Sequence, residues 1–351
     1  MFSEKSGTNA GTRLTTRSVL LWRMAQTAVW LAGAVILFCL IFYPAIGLLL
    51  FWNILIPVAP ALFVVATGLW RNVCPLATIN LLPRHLGKSQ RQRLSIKQLS
   101  KLHLIAVLAL YLLVPLRHAI FNVNGLATAL LIISMAVIGT CMGFIYEWKS
   151  AWCSGLCPIH PVEKLYGGNV LLSLPNAHCG QCMNCVIPCP DSTANINPNI
   201  NAGNMYQKIS GLFIIGGLPG FIWGWFHVPD NAGTNTLESL IEVYAMPLLG
   251  FSVTLVVYAI VSKLVKQAFQ QKLISIFAAA GVSCYYWFRI PALFGFGKFA
   301  NDGILINLTH VLPAYTMILF TLTTTVFFFY WLVIRQQNNR SWVIRPPYGK
   351  R

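Results

Sequence analysis

The chain has 351 residues, of which 56% are hydrophobic and only 9% charged, with a formal net charge of +17. So little charge excludes an ordinary soluble domain, and long apolar stretches point to the membrane. In a chain this apolar the basic excess reads as loops facing one side of a bilayer, and nucleic acid is not expected as a partner.

The pattern predicts an all-α integral membrane protein of about eight transmembrane helices. Residues 24–70 are apolar throughout and too long for one helix, and a break near Tyr43-Pro44 divides them into two spans. A strongly basic segment follows over residues 71–101, with Arg84, His85, Lys88, Arg91, Arg93, Lys97 and Lys101. It reads as a cytoplasmic loop anchored on anionic lipid headgroups. The other reading is a dock for an acidic redox partner, where opposite charge speeds encounter. Residues 102–121 and 125–146 are the third and fourth spans. After a cysteine-rich loop over 147–206, residues 209–226, 240–261, 273–294 and 304–334 complete the eight. The expected organisation is therefore a membrane domain over 1–146, an iron–sulfur loop over 147–206, and a second membrane domain with a basic tail over 207–351. The first apolar stretch is long enough to span and lacks a small-residue cleavage site, so no cleavable signal peptide is expected.

The chemistry lies in the loop. Cys179, Cys182, Cys185 and Cys189, followed by Pro190, read C-x2-C-x2-C-x3-C-P. That is the bacterial ferredoxin run, whose closely spaced thiolates grip a [4Fe–4S] cubane and whose fourth cysteine serves the other cluster of a pair. Zinc sites instead pair one C-x2-C with a second, distant pair. Upstream, Cys153 and Cys157 with Pro158 repeat the C-x3-C-P ending. By the pseudo-twofold rule Cys157 closes the cluster begun by Cys179, Cys182 and Cys185. Cys153 and Cys189 are left for a possible second cluster, which Cys74, Cys141, Glu147 or His160 would complete. A small ferredoxin-like iron–sulfur loop with one cluster, and room for two, is the expectation.

Lysine and arginine counts set the orientation. With both termini in the cytoplasm, 22 of the 25 fall inside, and only Arg117, Arg289 and Lys298 lie outside. The cysteine-rich loop and Cys74 then share the cytoplasmic surface.

A membrane-proximal C-x3-C-P followed by a full ferredoxin run, between hydrophobic helices, resembles the polyferredoxin-type membrane proteins. Among these are the membrane quinol-dehydrogenase component of periplasmic nitrate reductase, the nitrous-oxide-reductase regulator and FixG-type accessory proteins. The resemblance covers roughly residues 71–191 if Cys74-Pro75 is counted as an extra Cys-Pro element. It implies a redox protein of the bacterial inner membrane whose cytoplasmic [4Fe–4S] centres exchange electrons with quinol or a partner subunit. It implies Cys179, Cys182, Cys185 and Cys189 as ligands, followed by Cys153 and Cys157. This chain departs from those relatives in having one full run where they carry two, and four further spans after the loop.

His118, His227 and His310 fall near the outer ends of three expected spans and are candidates for a quinone headgroup or a b-type haem. No helix carries a matched histidine pair, which argues against haem. Asp230, Glu238 and Glu242 form an acidic stretch that reads as a solvated loop, or as a patch for an outer partner. Gly216-Gly217 and Pro219-Gly220 read as a helix break or as a close-packing surface. The expected function is electron transfer through the cluster, between the quinone pool or a membrane partner and a redox carrier. The alternatives are an assembly or maturation factor that reduces a metal or thiol, and a complex subunit with a structural cluster.

Overall fold

Backbone hydrogen bonding in hydrocarbon leaves an apolar chain few options other than the helix, and that is what this chain forms. The computed structural model describes residues 15–92, 94–146, 151–171, 174–175, 203–230, 237–299, 303–335 and 342–344. Seven helices among them are long and apolar enough to cross a membrane: Thr16–Phe42, Pro44–His85, Ile96–Leu113, Gly125–Ile145, Leu240–Leu264, Gln267–Leu293 and Ala314–Ile334. Among the described residues two short strands, Leu174–Pro175 and Val343–Ile344, pair in parallel.

By length and apolarity these are seven, where eight spans were expected. The expected fifth span is helical, but it is built from Met205–Leu212, a π-turn at Phe213–Gly217 and Leu218–Trp225, and it falls outside the seven. Glycines stand where a lipid-facing helix would carry large side chains, because other helices cover this segment. Ile214, Ile215, Leu218, Phe221 and Trp225 are all buried. Gly220 and Gly224 lie against the backbone of Gly250 and Met246, and Gly217 lies against the Phe251 ring. Small residues let two backbones approach closely, so close packing is the reading that holds.

The second expected span is also longer than its apolar run. Its helix passes Trp70 and Arg71, breaks at Cys74, and resumes as Pro75–His85. The segment 71–101 is therefore not a basic loop throughout. The Pro75–His85 helix packs on Gly125–Ile145, where Asn80 donates to the Gly139 carbonyl and Gly143 meets the Asn80 backbone. The remainder runs back along the end of that helix, with the Gln90 N–H donating to Phe144 O at 2.7 Å. A capping box at Ser95 and Gln98 then starts Ile96–Leu113.

The core centres on Gln267–Leu293, the most buried of the seven helices. Tyr286 explains part of its anchoring. Its hydroxyl donates to Pro57 O at 2.6 Å and accepts from Ala61 N–H at 2.9 Å. Those two groups would otherwise bond each other along the Ile56–Val73 helix, so the phenol is inserted into the ladder.

Candidate metal centre

Two Cys-Pro steps build the site. A residue before proline is pushed out of the α region, and Cys74 (φ −54°, ψ 121°) and Cys157 (φ −65°, ψ 116°) take nearly the same extended conformation. Each therefore ends one helical stretch and presents its thiol at the break. The sulfur of Cys74 accepts from the backbone N–H groups of Ala77 and Leu76, and that of Cys157 from Ile159. Cys153 sits on the π-turn Trp152–Leu156, buried with Trp152 and Ala77. Cys74 and Cys157 pack against that same small cluster. Trp152 fits there because Gly139 has no side chain: a Cβ at that position would stand 3.3 Å from the ring.

Beside the thiols lies a buried ion pair that sequence reasoning missed. Arg71 Nη1 is 2.9 Å from Glu163 Oε2, with the side chains 4% and 2% exposed. His160 Nδ1 donates to the same oxygen at 3.2 Å. His103 stands edge-on to His160 with ring centroids 6.2 Å apart, and its Nδ1 is 3.2 Å from Ser210 Oγ. Burial, together with Glu163, Cys153 and Cys74, pushes the Cys157 thiol well above its ordinary range. Burial also draws His160 down to about 4, against the opposing hydrogen bond to Glu163. A signal did exist in the sequence: Glu163 is one of only eight acids in the chain and lies three residues after His160.

The full ferredoxin run, Cys179, Cys182, Cys185 and Cys189, lies outside the described residues, as does Glu147. Among the described residues no three His, Cys, Asp or Glu side chains are grouped as the ligands of one metal ion would be. Cys141 is exposed on Gly125–Ile145, and Cys39 and Cys284 lie within other helices.

The three candidate histidines differ in their surroundings. His118 is fully buried, with Nδ1 at 2.6 Å from Asp230 Oδ1 and Nε2 at 3.0 Å from Trp225 O, so both ring nitrogens are already engaged. Asp230 is thus an internal partner of His118 and Asn122 rather than part of an outer acidic patch. His227 bonds the Trp223 carbonyl of its own helix at 2.7 Å and is half-buried, whereas His310 is exposed in a turn. Nearby, Arg117 lies 3.9 Å from the Trp52 ring centroid, and Arg289 donates to Trp52 O at 3.0 Å.

The fold and composition define a multi-pass helical membrane protein. No family model, curated protein or solved structure matches the chain.

Proposed function

We propose that this chain is an electron-transfer protein of the polyferredoxin type, set in the bacterial inner membrane with its iron–sulfur loop in the cytoplasm and, the interrupted helix over 205–225 serving as an eighth crossing, both termini there as well. The observation that carries this reading is that Cys74 and Cys157 both pack against the small buried cluster that holds Cys153. Cys74 and Cys153 are far apart in sequence and were singled out there only by their Cys-Pro context and their spacing.

The donor set suits an iron–sulfur group. The thiols of Cys74 and Cys157 already accept backbone N–H bonds, the kind of bond that stabilises ligand thiolates and tunes cluster potential. Cys157 would complete a cubane with Cys179, Cys182 and Cys185, while Cys153, Cys189 and Cys74 would serve a second one. When bound, such a cluster supplies reversible one-electron transfer. The chain's own part is to seal the thiols from lipid with Trp152, to hold Arg71 near their negative charge, and to keep Glu163 paired.

The orientation is supported by the structural role of the few cations on the other side. Arg117 and Arg289 are buried in contacts with Trp52, leaving Lys298 as the outside loop cation. Trp52 and Cys74 stand on one helical element kinked at Ala66, 22 residues apart by their numbers, at most about 33 Å at helical rise, which is of the order of a bilayer core. The electron partners are proposed to be a quinone or a membrane subunit on one hand and a soluble carrier on the other.

Electron paramagnetic resonance of the purified, dithionite-reduced protein tests the proposal, followed by reoxidation with a quinone analogue. A reversible signal in the ferredoxin range is expected. A chain without iron and sulfide, or with a centre silent across that range, rejects it.

A further inference from the structure

The C-terminal end of the chain does more than anchor topology. Trp342 is fully buried, and its indole N–H donates to Gly167 O at 2.8 Å. Lys164 Nζ lies 4.4 Å from its ring centroid, and its edge meets the His160 ring at 6.4 Å. The helix His160–Tyr166 is therefore held at both ends by one side chain. That helix begins immediately after the Cys157-Pro158 step, and its first N–H, from His160, donates to Cys157 O at 3.2 Å.

Neighbouring contacts repeat the arrangement. The Leu174 N–H donates to Trp342 O at 3.3 Å, and Leu174–Pro175 pairs in register with Val343–Ile344. Just before the tail, Asn169 and Trp331 exchange two bonds of 3.0 and 2.9 Å. Gly167 leaves the room this needs: a Cβ there would meet Thr67 Oγ1 and the Trp342 indole nitrogen at 2.6 and 2.9 Å. The tail thus holds His160, Lys164, Gly167 and the Leu174–Pro175 strand, all between Cys157 and Cys179 in the sequence.

We propose that Trp342 is a positioning residue for the cysteine site, and that the C-terminal tail is a clamp which fixes the backbone following Cys157. The ligand role of Cys157 rests on the functional reading above, but the clamp itself does not.

The test compares maleimide alkylation of Cys157 and Cys39 in full-length protein in detergent, after iron is removed by a chelator. Cys39 is in Thr16–Phe42, at the end that packs on Gly47 and Gly125. Trp342→Ala is expected to speed Cys157 alkylation by at least about tenfold, because losing a buried tryptophan shifts local opening by more than a factor of ten. Cys39 keeps its wild-type rate, and Trp342→Phe restores most of the protection. In untreated protein the same Ala variant alters the line shape of the reduced cluster signal. Unchanged Cys157 alkylation, or equal acceleration at both cysteines, overturns the clamp. If the wild type holds no iron, the functional reading falls and the alkylation contrast still decides the clamp. Should Trp342→Ala fail to accumulate in membranes, Trp342→Leu decides in its place with the same two outcomes.

Discussion

Arg71 and Glu163 form a buried ion pair, 2.9 Å from Nη1 to Oε2, that ties the end of the second membrane helix to the segment following Cys157. Removing one partner strands the other charge in a nonpolar setting, whereas removing both does not. Arg71→Met and Glu163→Gln should each cost roughly 3–5 kcal/mol, and the double variant should recover much of that. Thermal unfolding of the four proteins in one detergent closes the cycle. Simple additivity of the two single losses would show that the pair is uncoupled.

The pair between His118 and Asp230 gives a pH dependence. Burial alone raises the Asp230 carboxyl, but the hydrogen bond and charge of His118 outweigh it, helped by Asn122 and Arg117, so its value falls below the ordinary 3.8. A carboxylate depressed in the folded state stabilises fully above its unfolded value and loses that contribution as pH falls through the folded one. Asp230→Asn should therefore be less stable than wild type at neutral pH. The gap should close only below pH 3.8. A gap that already closes between pH 6 and pH 5 would assign the effect to another group.

Gly220 and Gly250 face each other backbone to backbone. No side-chain rearrangement can make room for a methyl group against a carbonyl. Gly220→Ala should lower the melting temperature sharply, whereas Gly168→Ala, with nothing within 4 Å of its Cβ position, should leave it nearly unchanged. Similar melting curves for the two would contradict the close approach.

The sequence was most legible where the membrane constrains it. Long apolar runs must be helical, so most spans and the break at Tyr43-Pro44 were readable from composition. The segment 205–225 was harder, because a helix covered by protein is free to trade apolar bulk for glycine. Pro75–His85 was hidden because Arg84 and His85 made its surroundings look like a charged loop. Arg71, Arg117 and Arg289 entered the charge count as loop cations although all three are buried. Cys74 could be named as a candidate ligand because a Cys-Pro step leaves a local trace. The pairing of Arg71 with Glu163 left none, because partners 92 residues apart carry no mutual spacing.

The cysteine assignments give the last prediction. If Cys157 is the fourth ligand of the cluster begun by Cys179, Cys182 and Cys185, then Cys157→Ser must damage that cluster as much as Cys182→Ser does. Cys74, packed in the same group as Cys153 and Cys157, belongs by this argument to the second centre. Cys74→Ser should therefore remove spectral features that Cys153→Ser also removes, while leaving the first signal in place. Cys141→Ser should change nothing, since Cys141 is exposed on a different helix face from this cluster. The controls matter because a serine in a buried site can also act through packing. Cys284→Ser, a change of the same size in a half-buried helix position, measures that effect separately. Paramagnetic resonance and iron content of the six variants read all of this in one series. An intact wild-type spectrum in Cys157→Ser would reject the pseudo-twofold assignment and leave Cys189 as the fourth ligand of a single cluster.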